Sequence, residues 1–417
     1  MLGVTSYMPR LIDPLLKTLF QDLPVLNITG PRASGKTTTA SRLVTDVVHL
    51  DADAVAGLFR ADPDAALTRV REPALLDEWQ HVSSVLGAVK RTVDTRSEPG
   101  RFILTGSADS ELTRAQWPGT GRVVDVPLYG LNVREILSRP GDLFVDRLAQ
   151  NDPDLFAPAN GLTTAPTIVD YVRWAVTGGF PDSVQARSEL ARSYWLTSYV
   201  NHLVQRDVFL LKSRPDTTRL RAYLTALAAN TAGVVDHQNL YQAAGITRQT
   251  ALSYDSILTG LFILDMIPAW WTSHLSRLTQ TPKRYLIDPA LVPAVLRVNF
   301  DGVMRNAALI GRMLDTFVAA QLRGELAASR TQPTMHHLRE HAGRREIDIV
   351  LEYTQGQVAG IEIKAAGTVD SSDARHLKWL RDELGEDFLC GVVLHTGPGT
   401  MTLSDRIYAA PISTLWA

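Results

Sequence analysis

Cysteine is almost missing from this chain: Cys390 is the only one in 417 residues. That excludes an internal disulfide and any zinc site built from several thiolates. Cys390 lies in the run Phe388-Leu389-Cys390-Gly391-Val392-Val393, where it reads as a small buried apolar residue. Long uncharged stretches are missing too. None approaches the roughly 20 residues that span a bilayer, so no membrane partner is expected. Net charge is only −2. There is no global basic footprint for nucleic acid, and any DNA contact must come from a local patch. The N-terminus carries Arg10, Asp13 and Lys17 among apolar residues, the pattern of an amphipathic helix rather than a signal peptide. A reducing, cytoplasmic setting is the expectation that follows.

What is present is enough apolar sequence for a folded protein: 45% hydrophobic against 21% charged residues. The length suggests about two to four domains. The most informative stretch is Gly30-Pro31-Arg32-Ala33-Ser34-Gly35-Lys36-Thr37, which satisfies G-x-x-x-x-G-K-[ST]. An apolar run, Val25 to Ile28, precedes it, and Thr38 to Leu43 reads as a helix behind it. Strand, glycine loop and helix together form a phosphate cradle. The glycines let backbone N–H groups wrap a phosphate, and the new helix points its positive end at it. Gly30 to Thr38 are the expected ATP-binding residues. Lys36 is expected at the β- and γ-phosphates and Thr37 on Mg²⁺.

About 45 residues on, Pro73-Ala74-Leu75-Leu76-Asp77-Glu78 is a small, apolar run ending in two acids. Behind a phosphate loop, Asp77 is expected to hold Mg²⁺ and Glu78 to orient and deprotonate the attacking water. A strand, Val47 to Leu50, contains His49, read as a packed strand residue. Phe102-Ile103-Leu104-Thr105-Gly106-Ser107 is another buried strand ending in hydroxyls. Arg122 opens the next strand and has two readings: a γ-phosphate contact or a pair with a surface acid. Strands alternating with helices argue a three-layer α/β sheet.

Four segments together carry a family resemblance: Tyr7-Met8-Pro9-Arg10 through Thr37, Leu75 to Gln80, Leu104-Thr105-Gly106-Ser107, and Leu128-Tyr129-Gly130-Leu131 through Glu135. The chain resembles a large prokaryotic group of AAA-type ATP-binding proteins with a C-terminal domain of unknown function. Trp79 stands where members often have Ile. The resemblance implies that Thr105 or Ser107 senses the γ-phosphate. It also implies that a helical lid follows, with Arg206 reaching back to the nucleotide or pairing with an acid such as Asp207. Gly178-Gly179-Phe180-Pro181 marks a turn or hinge. Rings are common in such ATPases, so a homo-oligomer is an allowed assembly.

Residues 141–165 read as a linker or surface excursion. His237 to Ala244, Gly245, then Thr247 to Tyr254 follow the helix-turn-helix pattern, with Thr247 as N-cap. Lys283 to Asp288 is a strand that would supply a wing. Arg248, Gln249 and Ser253 would then face a major groove; the alternative is a fold used only for packing. Lys283-Arg284 is too small a basic patch to decide between them.

The last third orders its elements as α-β-β-β-α-β, with strands Met335–Arg339, Glu346–Glu352, Val358–Lys364 and Phe388–Leu394 and a helix over 373–383. Residues two apart on a strand share a face, so Glu362 and Lys364 stand together, and hairpin pairing brings Asp348 beside them. Two such carboxylates suit Mg²⁺, and a lysine beside the metal can activate water against a phosphodiester. This resembles the D-(x)n-E-x-K site of the restriction-endonuclease-like fold. That resemblance implies Asp315 as the helix carboxylate, where Glu is commoner. The alternative is an amphipathic strand with a salt-bridging edge.

The fold expected is therefore α/β. Residues 1–140 form a P-loop AAA-type ATPase, 141–215 a linker and helical lid, 216–300 a winged-helix-like domain and 301–417 a restriction-endonuclease-like domain. The function expected is ATP hydrolysis with Mg²⁺, coupled either to action on DNA or to a switched protein interaction on non-catalytic scaffolds.

Overall fold

Short runs rich in Val, Ile and Leu build the first sheet: β1 Val25–Thr29, β2 Asp46–His49, β3 Ala74–Asp77, β4 Phe102–Thr105 and β5 Val123–Pro127. The computed structural model describes residues 7–106, 121–139, 141–150, 153–156, 165–206, 208, 215–271, 281–340 and 344–417. All pairings in this sheet are parallel, in the order β2-β3-β4-β1-β5. β3 and β4 are buried throughout and β1 nearly so, as a sheet covered on both faces requires. The register sets Ile28 and Asp77 each opposite Thr105. The phosphate loop, Asp77 and Thr105 thus leave the sheet at one edge. Helices α1 Asp13–Asp22, α2 Lys36–Ala40, α3 Asp53–Ala61, α4 Pro63–Leu67 and α5 Val85–Thr95 cover it. The short α6, Val133–Ile136, is fixed by a capping box between Asn132 and Glu135.

The middle is helical: α7 Phe144–Ala149, α8 Ile168–Thr177, α9 Pro181–Gln185, α10 Glu189–Gln205 and α11 Thr217–Ala229. The expected surface excursion at 141–165 is wrong for α7, because Phe144, Val145 and Leu148 are buried; their spacing makes one apolar helix face. The helix-turn-helix pattern is realised as α12 His237–Ala243 and α13 Arg248–Gly260. Gly245 turns between them at φ +64°, and the Thr247 side chain caps α13 through the Thr250 N–H. An antiparallel pair, β6 Leu264–Ile267 and β7 Lys283–Leu286, follows, then α14 Leu291–Leu296 and α15 Phe300–Met304.

The C-terminal unit runs α16 Ala307–Ala328, β8 Thr334–Glu340, β9 Arg345–Glu352, β10 Val358–Lys364, α17 Arg375–Leu384 and β11 Phe388–His395. That is the expected order. Two strands that the sequence did not announce follow, β12 Met401–Ser404 and β13 Ile407–Pro411. The mixed sheet runs β12-β13-β11-β10-β9-β8. Leu377 and Leu380 of α17 pack on one face, and Phe317 and Leu322 of α16 belong to the core on the other. That second core is continuous with the middle helices: Trp416 meets Trp174 edge-on at 5.1 Å. The fold as a whole is α/β.

Candidate functional site

Backbone shape comes first in the phosphate loop. Gly30 sits at φ +143°, and a Cβ there would lie 2.1 Å from the Leu128 carbonyl oxygen, so only glycine fits. Gly35 adopts φ +94° directly before α2. Lys36 is buried and its ammonium donates to the carbonyls of Gly30 (3.1 Å) and Pro31 (2.8 Å). Burial pushes its pKa down to about 8. The Ser34 hydroxyl is buried with no hydrogen-bond partner among the described residues. A loop with a buried ammonium, an unsatisfied hydroxyl and glycine-only turns is fitted to an anion such as a polyphosphate.

Asp77 is the meeting point of this edge. Its Oδ1 accepts from Thr37 Oγ1 at 2.8 Å and from Thr105 Oγ1 at 2.5 Å. Its Oδ2 lies 3.2 Å from His49 Nδ1. A threonine hydroxyl paired to a carboxylate below a phosphate cradle is the donor set that Mg²⁺ takes in nucleotide sites. Glu78 follows in the left-handed region at φ +53°, a conformation that strains a non-glycine residue. Its carboxylate accepts from Gln80. Trp79 is accommodated: it is buried, and its Nε1 donates to Asn27 Oδ1 at 3.2 Å. Gly106 makes that room, since a Cβ there would come within 3.0 Å of Trp79 Nε1 and 2.8 Å of Gln80 Oε1.

Several contributors lie outside the motifs. Arg10 is buried and braces the loop from behind, donating to Glu135 Oε1 (3.1 Å), the Ser34 carbonyl (2.9 Å) and the Tyr129 carbonyl (2.7 Å). Tyr199 of α10 reaches the Arg32 carbonyl at 3.4 Å, and Pro181 lies 3.8 Å from a Cβ built on Gly35. The contact from α10 to the loop therefore comes from Tyr199, two turns before the exposed Arg206. Arg122 stands elsewhere than a γ-phosphate contact within this chain would need. It precedes β5, and parallel register puts that end beside the start of β1, at the far edge from the loop. There it pairs with Asp94 at 2.8 Å, the surface-acid alternative. Ser107 lies outside the described residues, which leaves Thr105 as the hydroxyl placed at Asp77.

A second cluster forms in the C-terminal sheet. Pairing of β9 with β10 ends where Ile349 faces Ile361. Beyond it, Asp348 Oδ2 takes the Ile363 N–H at 3.0 Å. Lys364 Nζ lies 3.3 Å from Glu362 Oε2, and His376 Nδ1 lies 3.7 Å from Glu362 Oε1. The structure thus brings Asp348, Glu362 and Lys364 into one electrostatic cluster with Asp315 of α16. It also brings in Lys283 of β7, whose ammonium is 2.9 Å from Asp348 Oδ1 and 3.8 Å from Asp315 Oδ2. Burial raises the Glu362 pKa, and Asp348 adds to it. Burial and then Asp348 push Asp315 well above the usual carboxylate range. Burial would raise Asp348 too, but Lys283 beside it holds it below that range.

Lys283 and Arg284 are therefore not a basic wing. Both are buried, and Arg284 pairs with Asp255 of α13 at 3.5 Å. The donors at Asp348 do not fit a divalent ion as they stand. Both its oxygens are committed, and among the described residues no group of three His, Cys, Asp or Glu is disposed around a metal. On the helix-turn-helix, Arg248, Gln249 and Ser253 are exposed on α13. Among the described residues, no helix is long and apolar enough to cross a membrane.

Comparison with known proteins matches three segments of the chain to family models. Residues 22–137 match a family described as AAA domain. Residues 168–301 match Domain of unknown function (DUF8612), and 310–415 match Domain of unknown function (DUF4143). An uncharacterized protein of Mycobacterium tuberculosis is 27% identical over 402 residues, covering 95% of this chain and 82% of the relative. One of Mycobacterium bovis matches with the same identity and coverage. Among solved structures, a Walker-type ATPase of Pyrococcus abyssi aligns with a TM-score of 0.42 at 12% identity, over 71% of this chain and 99% of that one. The chain carries a P-loop domain of the AAA type at its N-terminal end and a domain of unknown function at its C-terminal end.

Proposed function

We propose that this chain, an AAA-domain protein with a C-terminal domain of unknown function, is a Mg²⁺-dependent ATP hydrolase that acts on DNA. The observation that carries the ATP half is the convergence of Thr37 and Thr105 on Asp77 at one sheet edge, next to a loop whose Lys36 is buried against the Gly30 and Pro31 carbonyls. Gly30 to Thr38 bind the polyphosphate, and Lys36 pairs with its outer phosphates. Thr37 and Asp77 hold Mg²⁺, which supplies charge neutralisation on the phosphate oxygens. Glu78 orients and deprotonates water. Thr105 ties the Asp77 carboxylate to β4. Tyr199 and Pro181 connect the loop to the middle helices, so a change in loop shape has a direct path to α10.

The exposed Arg248, Gln249 and Ser253 of α13 support DNA as the partner, since an N-terminal helix face of this kind enters a major groove. ATP turnover with and without duplex DNA tests both halves. Stimulation by DNA that Arg248→Ala removes supports the proposal. Retained hydrolysis in Lys36→Ala, or folded protein with neither DNA binding nor stimulation, overturns the half concerned.

A second reading concerns the C-terminal cluster. The convergence of Asp348, Glu362 and Lys364 supports a Mg²⁺-dependent phosphodiesterase. The pairing of Asp348 with Lys283 supports a non-catalytic scaffold for a protein partner. Supercoiled DNA incubated with ATP and Mg²⁺ separates them. Cleavage lost in Lys364→Ala favours the nuclease. Intact DNA, together with one protein retained by the Glu78→Gln trap, favours the scaffold.

A further inference from the structure

Lys283 opens β7 in the middle region, yet its charged end belongs to the C-terminal centre. Its side chain is 2% exposed. A buried ammonium persists only when paired and hydrogen-bonded. Asp348 is its closest partner, through Oδ1 at 2.9 Å and the backbone carbonyl at 3.4 Å, and Asp315 Oδ2 lies at 3.8 Å. These are two of the three carboxylates that a metal in this cluster would use. The third, Glu362, contacts Lys364 Nζ through Oε2 at 3.3 Å, and its buried Oε1 lies 3.7 Å from His376 Nδ1. Asp348 and Glu362 are thus each held by a side-chain cation, Asp348 by Lys283 and Glu362 by Lys364.

We propose that Lys283 is the resident cation of the Asp315–Asp348–Glu362 centre, a tethered ammonium whose withdrawal opens a Mg²⁺ or Mn²⁺ site between Asp348 and Glu362. Three carboxylates already face two ammonium groups, Lys283 and Lys364, and the His376 ring beside Glu362. A divalent ion added to that set leaves a buried excess of positive charge, which a low-dielectric interior opposes. Lys283 and the metal therefore exclude each other. The strand gives the exchange a handle. Arg284, the next residue of β7, pairs with the buried Asp255 of α13, so one strand joins the helix that carries the exposed Arg248, Gln249 and Ser253 to the carboxylate centre. Movement of α13 on a bound partner would shift β7 and with it Lys283. The inference concerns the cation alone and does not depend on DNA being the substrate.

Mn²⁺ binding, followed by loss of the free-ion paramagnetic resonance signal, tests it. The full chain is used without nucleotide, in an Asp77→Asn background so that the phosphate-loop site is silent. The parent should show no Mn²⁺ site sensitive to Glu362→Gln. Lys283→Ala should bind one Mn²⁺ per chain at least tenfold more tightly than the parent, and Glu362→Gln in that variant should abolish it. A parent that binds Mn²⁺ at a site removed by Glu362→Gln, or a folded Lys283→Ala that binds none, overturns the proposal. Thermal unfolding of the parent keeps the question decidable if Lys283→Ala does not fold. No rise in Tm with Mn²⁺ is expected, and a rise that Glu362→Gln cancels overturns it.

Discussion

Thr105 donates its hydroxyl hydrogen to Asp77 Oδ1 at 2.5 Å, the same oxygen that receives Thr37 at 2.8 Å. One carboxylate oxygen thus ties β3, β4 and the start of α2 together. Removing one such bond to a charged group costs about 1.5–3 kcal/mol. If the bond is fully expressed in the transition state, Thr105→Val slows hydrolysis by about ten- to a hundredfold while ATP binding is kept. Thr105→Ser restores the hydroxyl and most of the rate. Steady-state turnover beside an equilibrium ATP titration reads both, and a wild-type rate in Thr105→Val removes Thr105 from the catalytic edge.

Arg10 makes a different kind of prediction. Its guanidinium and the Glu135 carboxylate are both nearly inaccessible, so deleting one partner leaves the other charged and buried. Losses of about 3–5 kcal/mol attend such a break, and with the chain unfolding as one unit Arg10→Met should lower the Tm by roughly 3–6 °C. ATP affinity should fall with it, because the Ser34 carbonyl loses its anchor. Arg10→Lys keeps the charge but cannot reach three acceptors, and is expected to fall between. An unchanged Tm in Arg10→Met would mean that the loop is braced elsewhere.

How much of this was legible in the sequence depended on distance along the chain. The phosphate loop was legible because eight consecutive residues carry it. Asp348, Glu362 and Lys364 were legible because the two-residue period of strands puts them on neighbouring faces. Arg10, Tyr199 and Lys283 act across 24, 167 and 65 residues respectively, and nothing local marks them. Arg122 was misjudged at one of its two readings for a reason that topology supplies. In a parallel sheet the residue before a strand and the residue after it lie at opposite edges, so a side chain preceding β5 cannot share an edge with a loop following β1. Lys283 and Arg284 looked like a small exposed patch because composition does not reveal that a strand threads between two domains.

Lys36 gives the phosphate loop a pH signature. Its pKa is lowered to about 8 by burial, against about 10.4 in an unfolded chain. Between those values the unfolded state holds more protons, so this group's contribution to stability rises with pH through that window. Binding runs the other way. A polyphosphate restores the ammonium, so ATP binding near pH 8.5 should take up a fraction of a proton, roughly 0.5–0.8, and almost none at pH 6.5. Calorimetric titrations in two buffers of different ionisation enthalpy read this directly. Lys36→Met should abolish the uptake together with most of the affinity. Uptake that is equal at both pH values would assign the linkage to another group.

Asp288 carries the last prediction, at the turn between α8 and α9. It is buried, and its carboxylate accepts the N–H groups of Gly179 and Ala290, each at 2.8 Å. Burial nonetheless raises its pKa to about 6, above the unfolded value of about 3.9. In the window between, the folded state holds the extra proton. The stability this contributes is complete below about pH 4 and is lost as pH rises through about 6. Denaturant midpoints of the wild type should fall across that window, and Asp288→Asn should flatten the fall. Glu325, raised to about 7 by burial, acts with the same sign, so the difference between wild type and Asp288→Asn isolates the turn. Gly178 closes the argument by sterics. It sits at φ +72°, and a Cβ there would lie 2.3 Å from Asp288 Oδ1. The Ala290 Cβ would lie 2.6 Å away as well, so Gly178→Ala should destabilise the turn, and pairing it with Asp288→Ala should recover only the part of the loss that the carboxylate clash causes. Equal instability in the single and the double variant would place the cost in the backbone conformation and the Ala290 contact.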